Sequence, residues 1–133
     1  MRCCPLRRHG GRVVTIDGEV LEKPTDADHA KTMLKRLAGR CHEVFTAVIV
    51  AKRENGEASL RTQVARTEVQ FAPLSDEDID AYIATGEPFD KAGGYGIQSK
   101  GSLLVTGIVG DYFNVVGLPV TSTADLLLTL LQD

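Results

Sequence analysis

The sequence predicts an α/β fold: a mixed sheet with a long antiparallel hairpin and flanking helices. Three observations carry this. Two β-rich runs turn back at Asp17-Gly18 and Asn55-Gly56, dipeptides that supply the positive φ values of tight hairpin turns. Two segments with apolar residues at helical spacing start at capping residues and stop at Gly39 and Gly86. The order hairpin, helix, hairpin, helix, loop, strand, helix has no regular β-α-β alternation, which points to antiparallel pairing.

Taken in order, Val13 to Ile16 and Glu19 to Leu21 flank Asp17-Gly18 and form a short opening hairpin. After Pro24, Thr25 is placed to cap a helix with Asp28 three residues on. Ala30, Met33, Leu34 and Leu37 then fall on one face, giving a helix over about Asp26 to Ala38. From Glu43 to Lys52 the chain is rich in Val, Ile, Phe and Thr, and beyond Asn55-Gly56 a second run, Leu60 to Phe71, pairs back on it. Pro73 ends this hairpin. Ser75 with Asp78 caps a second helix carrying Ile79, Tyr82 and Ile83, which Gly86 and Pro88 close. A glycine-rich loop follows, then a strand from Leu103 to Val109, a turn at Gly110-Asp111, and a helix over Ala124 to Leu131 capped by Thr121, Ser122 or Thr123. Asp111 and Asn114 read as turn-stabilising residues, because Asx side chains bond their own backbone there.

Composition narrows the function. A chain of 133 residues fits one domain, and no apolar run approaches the roughly 20 residues that span a bilayer, so membrane insertion is not expected. The net charge of −3 provides no basic field for a nucleic-acid backbone, so any phosphate contact must be built from a few lysines or arginines. Small phosphorylated ligands fit that better than DNA. Cys3, Cys4 and Cys41 form neither an even disulfide set nor a Cys-x-x-Cys pair, which suggests free thiols in a reducing, cytoplasmic setting. His9 and His29 lack partner spacing for a metal. The opening MRCCPLRRHGG is basic without an apolar core for a signal peptide, so residues 1–11 read as a disordered start and 12–133 as the domain.

The loop reads FDKAGGYGIQSKG. Gly93, Gly94 and Gly96 either serve a surface connection that needs positive φ, or let backbone N–H groups approach a ligand closely, with Asp90, Lys91, Gln98 and Lys100 around them. The second reading suits an anion carrying a polar base.

Four segments set a pattern in order: LEKP at Leu21 to Pro24, AGRCHEVFTAV at Ala38 to Val48, GEPFDKAGGYGIQSKG at Gly86 to Gly101, and GDYFNVVGLP at Gly110 to Pro119. Together they closely resemble the Maf family of nucleoside triphosphate pyrophosphatases, also called septum formation inhibitor-like proteins, with a Maf/ITPase-like fold. The resemblance covers nearly everything from Val13 onward. It implies hydrolysis of a nucleoside triphosphate to monophosphate and pyrophosphate with a divalent cation, usually Mg²⁺, in a homodimer. It also implies that Lys23 takes the place of the lysine in the family's Gly-Lys-Pro motif, where a fixed ammonium neutralises charge on the departing pyrophosphate; from the residue alone, a solvated surface lysine is the alternative. Gln98 matches the family's Gly-Ile-Gln glutamine, associated with choice of base, and its amide offers both donor and acceptor. The branch carrying Asp-Lys-Ala-Gly and Tyr-Gly-Ile-Gln, present here at Asp90 to Gly93 and Tyr95 to Gln98, is associated with dTTP and UTP. Asp90 and Lys91 either contact substrate or pair with each other, and His42 reads as structural.

The resemblance breaks at the start. The family's Ser-x-Ser-Pro-Arg-Arg phosphate loop has no match; Pro5-Leu6-Arg7-Arg8 is a faint echo. The family's Asp-Thr-Val-Val aligns with Gly11-Arg12-Val13-Val14, so Gly11 replaces the proposed general base and Arg12 the specificity-linked threonine. The expectation is an N-terminally truncated domain, roughly the C-terminal two thirds, with apolar surface left exposed. Two functions follow: a pyrophosphatase of pyrimidine nucleotides, or a catalytically impaired nucleotide-binding or regulatory module.

Overall fold

Asp17 and Asn55 each adopt a φ of 52°, and the glycines that follow them lie at +78° and +84°, so both expected hairpin turns form. In the computed structural model, which describes residues 11–132, they join β1 (Arg12–Ile16) to β2 (Glu19–Leu21) and β3 (Cys41–Glu54) to β4 (Glu57–Phe71). With β5 (Val105–Val109) these make one sheet in the order β2-β1-β3-β4-β5, and every pairing is antiparallel. The long hairpin runs two residues further at its start than the β-rich composition suggested, because Cys41 and His42 already pair with Gln70 and Val69. Cys3, Cys4, His9 and the Pro5 to Arg8 stretch lie outside the described residues.

Helices α1 (Ala27–Leu37), α2 (Asp76–Ala84), α3 (Tyr112–Val116) and α4 (Val120–Gln132) cover one face of the sheet. That face is set by strand alternation: Val14 and Ile16 of β1, Val44 of β3, and Val69 and Phe71 of β4 point into a core shared with Met33, Leu34, Leu37, Ile79, Tyr82, Tyr95 and Leu104. Each large side chain buried there contributes about 1.5–3 kcal/mol. α4 packs on a separate small cluster, with Leu130 and Leu126 against Val48 and Val50. The opposite face of the hairpin leaves Ile49, Leu60 and Val64 half or more exposed.

Several boundaries differ from the sequence reading. Asp26, not Thr25, caps α1: its carboxylate accepts from the His29 N–H at 2.7 Å, because the extended backbone of Asp26 aims that side chain at the helix start. Ser75 and Asp78 form the full reciprocal capping box expected for α2. Leu103 and Leu104 belong to a 3₁₀ turn (Lys100–Leu104), and the strand begins only at Val105. α4 starts at Val120, since the Pro119 carbonyl accepts from both the N–H and the hydroxyl of Thr123; Thr121, Ser122 and Thr123 are inside the helix rather than caps.

The turn reading of Asn114 is overturned. Asp111 does cap α3, accepting from the Phe113 N–H at 2.9 Å. Asn114 is fully buried, and its amide donates to the Val44 carbonyl at 3.1 Å and to the Thr67 hydroxyl at 3.0 Å. Its partners are across the sheet, so it staples α3 to β3 and β4.

Candidate functional site

The glycine-rich loop is not an open connection. It is a chain of short 3₁₀ turns, Glu87–Asp90, Ala92–Gly94 and Lys100–Leu104, with Tyr95 and Ile97 inserted in the core. Gly93 and Gly94 take φ of +80° and +78°. A side chain at Gly93 would strike Val14, with Cγ1 only 2.9 Å from where its Cβ would stand, and one at Gly94 would press on Met33 and Pro24. Of the roles weighed for these glycines, the positive φ is present, and close packing against Val14, Met33 and Pro24 adds a second reason for glycine here.

That packing links two of the predicted segments. The Gly93 N–H donates to the Glu22 carbonyl at 3.2 Å, directly before Lys23, and Pro24 lies against Gly94. Lys23 itself is exposed, beyond the end of β2. Asp90 and Lys91 are brought together, Nζ to Oδ1 at 3.2 Å, so the mutual-pairing alternative is realised in this state. The Lys91 stem also passes over Gly96. Gln98 is exposed, between buried Ile97 and exposed Ser99. Arg12 is engaged elsewhere: its guanidinium donates to the Val115 carbonyl at 2.5 Å, near the end of α3. Gly11, just before β1, is exposed with open space where a side chain would project.

Two residues that were read only as core and motif residues organise the loop. The Tyr82 hydroxyl accepts from the Gly96 N–H at 3.1 Å and donates to Glu87 Oε1 at 3.0 Å. Glu87 in turn accepts from the N–H groups of Gly101 and Lys100, each at 3.2 Å. Burial alone would raise the Glu87 carboxyl, but the Gly101 N–H, the Tyr82 hydroxyl, the Lys100 N–H and Ser99 outweigh it and hold it below the ordinary range. Burial, in the main, pushes the Tyr82 hydroxyl upward, so it stays protonated as a donor. A groove of about 440 Å³ borders this pair, lined by Tyr82 and Lys100 together with Pro73, Leu74, Asp78 and Leu103; it does not reach Lys23, Asp90, Lys91 or Gln98.

His42 is the other buried polar group of this region. It is packed edge-on against Phe71 and Tyr95, with Nε2 hydrogen-bonded to the Tyr95 hydroxyl at 2.6 Å. Burial lowers its pKa to about 4, so it is neutral and structural, as the sequence position at a strand start suggested.

Comparison with known families is decisive for ancestry: the model of the Maf-like protein family matches residues 11–130. The chain belongs to the Maf-like family. Among curated Maf-like relatives, the dTTP/UTP pyrophosphatase of Dictyoglomus thermophilum is 50% identical over 115 residues, covering 86% of this chain and 58% of the relative. That of Bacillus velezensis is 54% identical over 111 residues, covering 84% and 57%, and that of Shigella boydii 49% over 115 residues, covering 86% and 56%. The chain therefore spans a little over half the length of the Maf-like enzymes it matches.

A divalent ion was implied by the Maf resemblance, and the side chains bear on how it could be held. Among the described residues no three His, Cys, Asp or Glu side chains converge on a metal-sized site. Asp90 is paired with Lys91, and Glu87 is occupied by two backbone N–H groups and a hydroxyl. These residues do not form a protein-built metal cage. No helix among the described residues is long and apolar enough to cross a membrane.

Proposed function

We propose that this chain binds a pyrimidine nucleoside triphosphate, of the dTTP/UTP type, at the junction of the Lys23 segment and the Asp90 to Lys100 loop, and that its family chemistry is hydrolysis to monophosphate and pyrophosphate. The observation that carries the reading is the Gly93–Glu22 hydrogen bond, which fixes the segment bearing Lys23 against the loop bearing Asp90, Lys91 and Gln98. The names of the relatives, dTTP/UTP pyrophosphatases at about half identity, support the substrate class.

In this reading Lys23, exposed beyond the end of β2, meets the phosphates as a compact positive charge. Lys91 leaves Asp90 to add a second positive charge, and the freed Asp90 carboxylate faces the substrate. Gln98 reads the pyrimidine edge through its amide. Arg12 reaches a nucleotide only after releasing the Val115 carbonyl. A divalent cation, Mg²⁺ by the family resemblance, would neutralise triphosphate charge when bound, and the described side chains supply no cage of their own for it. We place the protein in the cytoplasm and in a homodimer.

Because Gly11 stands where the family carries its proposed base, the same reading makes this chain a slow enzyme or a nucleotide-binding module. Loss of a positioned base removes a factor of roughly 10² to 10⁴ in rate. Titration calorimetry with UTP and Mg²⁺ tests the site: Lys23→Ala should weaken binding about tenfold or more, the scale of one charge-assisted contact. An unchanged dissociation constant removes Lys23 from the site.

A further inference from the structure

Gln98 occupies a six-residue segment, Gly96 to Gly101, whose two ends meet. The backbones of Gly96 and Gly101 touch so closely that a side chain at Gly101 would run into the Gly96 carbonyl and the Tyr82 hydroxyl. Both ends are tied to one pair of side chains: Gly96 N–H to the Tyr82 hydroxyl, Lys100 and Gly101 N–H to the Glu87 carboxylate, and hydroxyl to carboxylate. Ile97, buried beside Gln98, anchors the interior of the segment and leaves Gln98 facing outward.

We propose that Glu87, acting through Tyr82, is the positioning residue that sets base selectivity, by closing the Gly96–Gly101 segment into a fixed loop with Gln98 presented from it. The inference rests on the nucleotide site proposed above. A free hexapeptide bearing two terminal glycines samples many backbone states, and an amide that must present donor and acceptor at fixed positions gains discrimination only if its loop is held. Glu87 is suited to that work, because an ionised carboxylate accepts several N–H bonds at once and each is stronger than a neutral one. The clamp touches neither phosphate-binding candidate, Lys23 or Lys91, by hydrogen bond, so it should affect which base is chosen more than how tightly a triphosphate is held.

The test compares the unaltered chain with Glu87→Ala, Glu87→Gln and Tyr82→Phe, by hydrogen exchange of the loop amides and by calorimetry with UTP and ATP in Mg²⁺. In Glu87→Ala the amides of Gly96, Lys100 and Gly101 should exchange at least about tenfold faster, while core amides such as that of Leu34 keep their protection and report an intact fold. The preference for UTP over ATP should fall by about fivefold or more with ATP affinity nearly unchanged, and Glu87→Gln, which keeps one acceptor oxygen, should fall between. Tyr82→Phe should loosen Gly96 chiefly. Faster exchange with an unaltered preference, or unaltered exchange, overturns the positioning role while leaving the nucleotide site standing. Failure of the unaltered chain to bind either nucleotide overturns the site itself and the selectivity role with it.

Discussion

The Tyr95 hydroxyl lies 2.6 Å from Nε2 of His42, inside a triad of edge-packed rings completed by Phe71. The loop thus reaches into the sheet core through Tyr95 and finds there an imidazole held neutral by burial.

Stability should therefore decline with acid through His42. Its folded pKa of about 4 lies below the ordinary 6.5, so the neutral form is favoured by folding. The contribution is complete above about pH 6.5 and is lost as pH falls toward 4, to a limit on the order of 3 kcal/mol. Thermal midpoints measured from pH 7 to pH 4 should fall more steeply for the unaltered chain than for His42→Gln. Parallel curves would show that the ring does not titrate with folding.

Asn114→Ala should destabilise the fold by about 2–3 kcal/mol, since it strips the Val44 carbonyl and the Thr67 hydroxyl of a buried partner. Urea unfolding measures this directly. A change under about 0.5 kcal/mol, the usual range for surface substitutions, would mean that α3 is not held by this staple.

Gly93→Ala combines a forbidden φ with a collision against Val14 and should cost about 2 kcal/mol or more. Gly11→Ala, facing open space, should stay within about 0.5 kcal/mol of the parent. Equal urea midpoints for the two variants would contradict the packing described for the loop.

Gly11→Asp fits sterically, yet alone it should raise pyrophosphate release from UTP by less than about tenfold, because a general base and a phosphate-binding loop act as one unit. Grafting the family's Ser-x-Ser-Pro-Arg-Arg segment together with Gly11→Asp should recover far more. High turnover in the unaltered chain, lost in Lys23→Ala, would place the base on another residue.

The parts of this fold that were legible in the sequence have determinants within about four residues of one another, the reach of turns and caps. Asp17-Gly18, Asn55-Gly56 and the Ser75–Asp78 box are of that kind. Tyr82 was legible only as a member of an apolar stripe, since its hydroxyl partners sit 5 and 14 residues away. Asn114 was misread for the same reason, its partners being 47 and 70 residues distant. α3 has five residues, too few to display a helical period. For the candidate site, the motif order marked Lys23, Asp90, Lys91 and Gln98, but the hold of Glu87 on the segment carrying Gln98 depends on backbone N–H groups that no side-chain pattern reveals.

The separate cluster beneath α4 divides the molecule's resistance to opening into two tiers. α4 is attached through Leu126 and Leu130 to Val48 and Val50, while Leu127, Leu128 and Leu131 remain partly exposed, so little apolar area is lost when it lifts away. The outer half of the long hairpin then loses its cover while the half carrying Val44, Val69 and Phe71 keeps its own. Opening at this end should proceed as a local event, below the free energy of global unfolding, and should leave the Lys23 junction assembled.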